Sequence, residues 1–218
     1  MIKELDLAYS SAIGHIGEPG PSYIEIPTDI LRENIKEKIV LKEWLNFREK
    51  YRPFPNPNDI LMAIEAIKRS KRPLIITGRG AKECKKELKE FIDKTNILYL
   101  DTQDSRGVVS NDHPNNVFTA RHNTMSEADL VILLGRKLDY QLAFGSPAIF
   151  KKAKFIRISD SSHELLDNRR GFPEIFANPE ESLKQITMNI NNLMFDNNWI
   201  ESIKTMHQDR IKKSNAKV

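Results

Sequence analysis

The sequence has a single cysteine, Cys84, which excludes an internal disulfide framework and a zinc site built on thiolates. No apolar run approaches the roughly eighteen residues that a membrane-spanning helix needs. The opening MIKELDLAYS carries Glu4 and Asp6 where a secretory leader has its apolar core, so a cytoplasmic location is expected. An excess of one charge is also missing: 34 Lys plus Arg against 30 Asp plus Glu leave a formal net charge of +4. Such a mixed surface has no basic stripe, and nucleic acid is not an expected partner. The histidines (His15, His113, His122, His163 and His207) lack the paired spacing of metal ligands and read as scattered surface residues. Glycine is scarce, with 9 in 218 residues, so the turns where glycines cluster carry information.

What is present suffices for a packed core, since 39% of the residues are hydrophobic. The length corresponds to about one and a half average domains. Residues 1–13 read as the end of an amphipathic helix, with Leu5, Ala8, Tyr9 and Ala12 near helical spacing. Gly14, Gly17, Pro19, Gly20 and Pro21 break it, and Tyr23-Ile24-Glu25-Ile26 reads as a short strand. Pro27 closes that strand, with Thr28 or Asp29 as the next helix cap. One helix end and one strand cannot bury a core of their own, so residues 1–31 look like the edge of something larger. Residues 32–57 read as an extended interdomain linker, because the prolines of YRPFPNPN forbid a regular helix. Its apolar residues Ile39, Val40, Leu41, Trp44 and Phe47 are expected to lie along a surface.

From Asn58, taken as a helix cap, the pattern becomes regular, with Ile60, Leu61, Ile64 and Ile67 on one face. Strands are expected at 74–77, 97–100, 130–134 and 155–158. A charged helix is expected from Ala81 to about Lys94 and a short one near 125–128, and the tail from Glu180 to about Lys212 is helical with a break near Asp196. Near-continuous apolar strands alternating with helices predict an α/β, Rossmann-like, open and mainly parallel sheet covered on both faces. An N-terminal helix–strand stub and C-terminal helices complete the expected fold.

Ligands of such sheets sit at the carboxyl ends of the strands. There the chain places Gly78-Arg79-Gly80-Ala81, Gly135-Arg136-Lys137-Leu138-Asp139 and Ser159-Asp160-Ser161. Glycines at a strand-to-helix turn allow close backbone approach, and a helix N-terminus favours phosphate. Arg79, Arg121, Arg136 and Lys137 suit phosphates; Asp139 and Asp160 suit ribose hydroxyls. The Gly-x-Gly lacks the rest of a dinucleotide fingerprint and the Lys-Ser/Thr ending of a phosphate loop. Cys84 has no recognisable base partner and reads as an inert small side chain, and Ser105, Ser110 and Ser146 lack a nucleophile-elbow context.

Several segments, in order, resemble the thiamine-diphosphate-dependent enzymes. GEPGPSYIEIPTDIL resembles the close of their pyrimidine-binding domain, and RPLIITGRGA the opening strand of their central domain. SEADLVILLGRKLDYQLAFG is similar to that domain's Ala-Asp, strand, Gly and Arg run, and KAKFIRISDSSHELLDNRRG to its last strand and ribose-facing turn. The acetolactate synthase-like enzymes are the subgroup named, with oxalyl-CoA decarboxylase and 2-hydroxyacyl-CoA lyase as relatives. The resemblance implies residues 1–31 as the tail of a pyrimidine-binding domain, 32–57 as linker, 58–190 as the central domain and 191–218 as a helical connector. It implies thiamine diphosphate and Mg2+ in the complete enzyme, and FAD or ADP on the central domain at Gly78, Arg79, Gly80, Arg121, Gly135, Arg136, Lys137, Asp139 and Asp160. The family's activating glutamate and its Gly-Asp-Gly…Asn signature have no counterpart here, so no catalytic or metal residue is assigned and the chain alone is expected to be inactive. The implied partners are the missing pyrimidine- and diphosphate-binding domains, and a homodimer or tetramer is expected only of the complete enzyme. A stand-alone nucleotide-binding or regulatory module is the alternative.

Overall fold

A proline-rich stretch separates two regions of different character. A computed structural model describes residues 2–15, 17–34, 52–166 and 171–216. The chain divides into two compact units, residues 1–52 and 53–218.

In the first unit, α1 (Ile2–Ala12) ends at Gly14, whose φ of +77° suits glycine, with the His15 amide donating to the Ser10 carbonyl at 2.8 Å. The strand expected at 23–26 does not form: these residues have no ladder partner among the described residues, and Tyr23 is 85% exposed. A strand without a neighbour has nothing to satisfy its backbone, whatever its propensity. α2 (Thr28–Leu31) follows Pro27 directly and uses no side-chain cap, neither Thr28 nor Asp29. The linker reading, with Ile39, Val40, Leu41, Trp44 and Phe47, falls largely on residues 35–51, outside the described residues.

The second unit opens with α3 (Pro57–Arg69). Its cap is Asn56 rather than Asn58, the Asn56 Oδ1 accepting the Asn58 amide at 2.9 Å. Pro57 occupies the first turn, where a missing N–H costs nothing. Five strands follow: β1 (Pro73–Thr77), β2 (Leu98–Leu100), β3 (Leu130–Leu134), β4 (Lys154–Ser159) and β5 (Glu174–Phe176). Their order is β2-β1-β3-β4-β5 and all are parallel. The helices between and after them are α4 (Lys85–Thr95), α5 (Arg121–Glu127), α6 (Ser162–Leu165), α7 (Pro179–Asn189) and α8 (Asn197–Asn215).

Strand alternation sends Ile75, Ile132, Ile156 and Ile158 to one face, against Ile60, Ile64, Ile67, Leu88, Phe91, Ile92 and Ile186 of α3, α4 and α7. Leu74, Ile76, Val131, Leu133 and Phe155 face the other way, onto Phe150 and onto Trp199, Ile200 and Ile203 of α8. Covering both faces explains why the strands read as unbroken apolar runs. Each buried Leu or Ile contributes about 1.5–3 kcal/mol by leaving water.

Several details differ from the sequence-based expectation. α4 begins at Lys85 instead of Ala81, because the amides of Ala81, Lys82 and Cys84 bond three residues back in tight 3-10-type turns. β5 was not anticipated. It is held at the sheet edge by Arg157 of β4, which is 1% exposed and pairs with Glu174 at 3.3 Å while also donating to the Leu165 carbonyl at 2.8 Å. Two histidines are not on the surface. His207 is 6% exposed on the buried stripe of α8, edge-on to Phe118, and the His113 side chain is buried with Nε2 2.9 Å from Asp93.

Candidate functional site

The strand order reverses between β1 and β3, so the fold's ligand crevice is expected at their carboxyl ends. The glycine turns of the sequence meet there. The Gly78 amide donates to the Leu134 carbonyl and the Gly80 amide to the Gly135 carbonyl, each at 3.1 Å. These two donors therefore continue the β1–β3 ladder. A Cβ on Gly135 would lie 2.4 Å from the Gly80 Cα, and one on Gly78 would lie 2.7 Å from the Arg136 Cδ. Gly135 also has a φ of +54°. The three glycines thus close a seam, backbone on backbone, with the Arg136 stem laid across Gly78.

Arg136 itself is committed to the protein. Its guanidinium forks onto Asp139 at 2.8 and 2.7 Å and donates to the Gln141 Oε1 at 2.8 Å, with the side chain 7% exposed. Its Nε lies buried without a hydrogen-bond partner among the described residues. Burial would raise the Asp139 carboxyl, but the hydrogen bonds and charge of Arg136 outweigh it and hold the group below its ordinary value. Asp139 also caps the loop that follows, accepting the Gln141 amide at 3.0 Å. That loop, Tyr140–Gly145, carries Ala143 and Phe144 at positive φ and leaves Tyr140 exposed. Left-handed backbone at non-glycine residues costs about 1–2 kcal/mol each, which the Arg136–Asp139 clamp and the buried Leu142 offset.

Arg121, at the start of α5, is half-buried and donates to the Asp101 carbonyl at 2.8 Å. Burial lowers its pKa, Asp101 opposes that, and the charge of Arg136 lowers it further, so Arg121 and Arg136 feel one another. Asp101, absent from the sequence-based set, is 7% exposed at the end of β2; burial raises its carboxyl against the pull of Arg106 and Arg121. Beneath, a buried polar knot ties β1 to β2: the Thr77 hydroxyl meets the Tyr99 hydroxyl at 3.0 Å and donates to the Ser105 hydroxyl at 2.9 Å. Burial pushes the Tyr99 phenol up to about 12.

On the other flank Arg79 and Lys137 stay exposed. The Arg79 side chain is 58% exposed and makes a loose 3.8 Å contact with Glu164 of α6. Glu164 in turn accepts the Ser159 hydroxyl at 2.7 Å. Asp160 is half-buried at the rim. Cys84 is fully buried with its thiol pushed up to about 12 by burial, which removes it as a nucleophile.

A family model described as thiamine pyrophosphate enzyme, central domain, matches residues 60–186. The chain belongs to the thiamine pyrophosphate enzyme family. The match covers the whole sheet from β1 to β5 and the helices α4 to α6, so the switch-point seam lies within the matched central domain. The chain is 33% identical over 164 residues to 2-hydroxyacyl-CoA lyase 1 of Dictyostelium discoideum, covering 72% of this chain and 28% of that protein. It is 29% identical to oxalyl-CoA decarboxylase of Escherichia coli K12 (75% of this chain, 29% of that one) and 29% identical to the acetolactate synthase large subunit of Buchnera aphidicola (82% and 33%). The chain spans about a third of the length of these curated relatives.

Two cofactor questions follow for this thiamine pyrophosphate enzyme domain. Among the described residues no group of three or more His, Cys, Asp and Glu side chains is placed to hold a metal ion. Exposed Arg79 and Lys137 lie within two residues of the seam glycines Gly78 and Gly135 in the chain. No helix among the described residues is long and apolar enough to cross a membrane.

Sequence reading missed Asp101, Arg157 and Glu164, and named Ser159 only as part of the Ser159-Asp160-Ser161 turn. Each acts through burial or through a side-chain contact, which the sequence does not display even where, as for Arg157, Ser159 and Glu164, the residue lies in a segment that resembles the family.

Proposed function

We propose that this chain supplies the central domain of a thiamine-diphosphate-dependent enzyme of the acetolactate synthase type, which makes or breaks a carbon–carbon bond beside a carbonyl. We place ADP, or the ADP half of FAD, at its β1/β3 switch point. The observation that carries this reading is the pair of exposed cations there, Arg79 and Lys137, beside a seam where three glycines let the two backbones close. Because α4 starts only at Lys85, the phosphates are held by side-chain cations and not by a helix terminus. Gly78, Gly80 and Gly135 form the floor, Arg121 and the Arg136–Asp139 clamp fix the neighbouring loops, and Asp160 stands at the rim.

Thiamine diphosphate with Mg2+ supplies the electron sink for the carbon–carbon step in the complete enzyme. Its binding is assigned to pyrimidine- and diphosphate-binding domains, the expected partners, with dimerisation or tetramerisation and a cytoplasmic location as further parts of the proposal. The chain alone is then inactive. Acetolactate formed from pyruvate by the purified chain with thiamine diphosphate and magnesium would overturn that. A second reading, a 2-hydroxyacyl-CoA lyase or oxalyl-CoA decarboxylase, is favoured by relatives so named, at 33%, 30% and 29% identity.

Isothermal titration with ADP, FAD and adenosine tests the nucleotide site. The expected result is binding of ADP and FAD, none of adenosine, and a loss of about tenfold or more for Arg79→Ala, as one charge-assisted contact is worth. No heat from either nucleotide overturns the reading.

A further inference from the structure

α8 lies beyond the stretch matched to the family, residues 60–186, yet it reaches back into the fold. Its Trp199, Ile200 and Ile203 cover one sheet face, and one turn further on it meets the Phe118–Ala120 turn that leads into α5. There all three polar groups of Thr119 are taken by α8. The Thr119 amide donates to the His207 Nδ1 at 3.3 Å. Its hydroxyl lies 2.7 Å from the same nitrogen and donates to the His207 carbonyl at 3.1 Å. Its carbonyl accepts the Arg210 guanidinium at 2.6 Å, whose other arm donates to the Asn123 Oδ1 of α5 at 2.9 Å. The amide donor assigns the imidazole proton to Nε2. Phe118 packs edge-on to the ring, with centroids 4.9 Å apart.

α5 depends on this anchorage. It is seven residues long, no side chain caps its start at Ala120, and a helix of that length has little stability of its own. Its first residue, Arg121, reaches the Asp101 carbonyl at the end of β2, beside the switch-point crevice. A line of contacts thus runs from α8 through Thr119 and Arg121 to the carboxyl end of β2. We propose that α8 is a strap that sets this side of the crevice, with His207 and Arg210 as positioning residues for Arg121. The strap acts on the crevice wall whatever ligand binds there, independently of the nucleotide reading. Coupling of this kind is reciprocal: loosening α8 frees the Asp101 end of β2, and fixing that end tightens α8.

Hydrogen–deuterium exchange of the full chain, read by mass spectrometry, tests this on the natural protein and on Arg210→Gln, His207→Asn and His207→Leu. Arg210 is exposed, so Arg210→Gln keeps the fold, and thermal unfolding checks the two His207 variants. In Arg210→Gln, exchange should rise about tenfold over 117–127, as loss of a charge-assisted hydrogen bond allows. It should rise at 101–106 as well, while β3 stays unchanged. Asparagine puts an acceptor near where Nδ1 stands, whereas leucine keeps the apolar bulk and has no acceptor. His207→Asn should therefore stay closer to the natural protein than His207→Leu over 117–127. The reverse order would show that His207 only fills space, and overturns its positioning role. Unchanged exchange at 101–106 in Arg210→Gln overturns the link to the crevice. Exchange raised equally in β3 marks general destabilisation and overturns the strap.

Discussion

Two arginines in this chain follow a strand-ending glycine, and their environments are opposite. Arg136 is 7% exposed, forked onto Asp139 and bonded to Gln141. Arg79 is 58% exposed with one loose ionic contact. In sequence they are interchangeable Gly-Arg pairs. In the structure one is a brace that pins a left-handed loop, and the other is a cation available to a ligand. The difference comes from where each side chain runs: the Arg136 stem crosses Gly78, where no Cβ can stand, while Arg79 opens a 3-10 turn with its side chain in solvent. A buried charge must be paired to exist at all, and pairing uses up the donors a ligand would need.

The sharpest way to break the brace is at its floor. Gly135→Ala should destabilise the domain by about 3 kcal/mol or more, adding a disfavoured positive φ to a methyl driven into the Gly80 backbone; urea unfolding reads this as a lower midpoint. Arg136→Ala should cost about 3 kcal/mol by leaving Asp139 half-buried and unpaired. An unchanged denaturation midpoint would show that the clamp is ornamental.

A smaller effect tests the support of the Arg121 segment. His207 lies against Phe118 and Thr119, its Nδ1 2.7 Å from the Thr119 hydroxyl, and Arg210 donates to the Thr119 carbonyl at 2.6 Å. Burial holds the imidazole below its ordinary value of 6.5, so the unfolded chain takes up the proton first. Stability present above that value is then lost as the pH falls through it. The Tm should decline on acidification below about pH 6.5, and His207→Gln should flatten the slope. Least of all should change on Arg79→Ala, with stability within about 0.5 kcal/mol of the natural protein. A large loss there would erase the contrast between the two arginines.

The core was legible because burial on both sheet faces forces continuous apolar strands, as in Leu130–Leu134, whose expected and observed bounds coincide. β5 was not legible: three residues at an edge, beginning with Glu174, carry no periodic signal, and what holds them is Arg157, a charge whose partner lies 17 residues on. The strand expected at 23–26 fails for the converse reason, since propensity without a pairing edge leaves Tyr23 in solvent. The site residues were named largely from their place after strands. That spacing locates a turn but does not reveal which donors the turn itself consumes, as the Gly78 and Gly80 amides show.

By itself the sequence determined the α/β class, the strands of the central sheet and membership of a family whose motifs it carries in order, because periodicity and local turn chemistry are written residue by residue. Only the tertiary structure decided which glycines touch, which arginine is buried and which acid faces a cation. Those outcomes depend on contacts between segments far apart in sequence, and on the cost of burying a charge that no neighbour pairs.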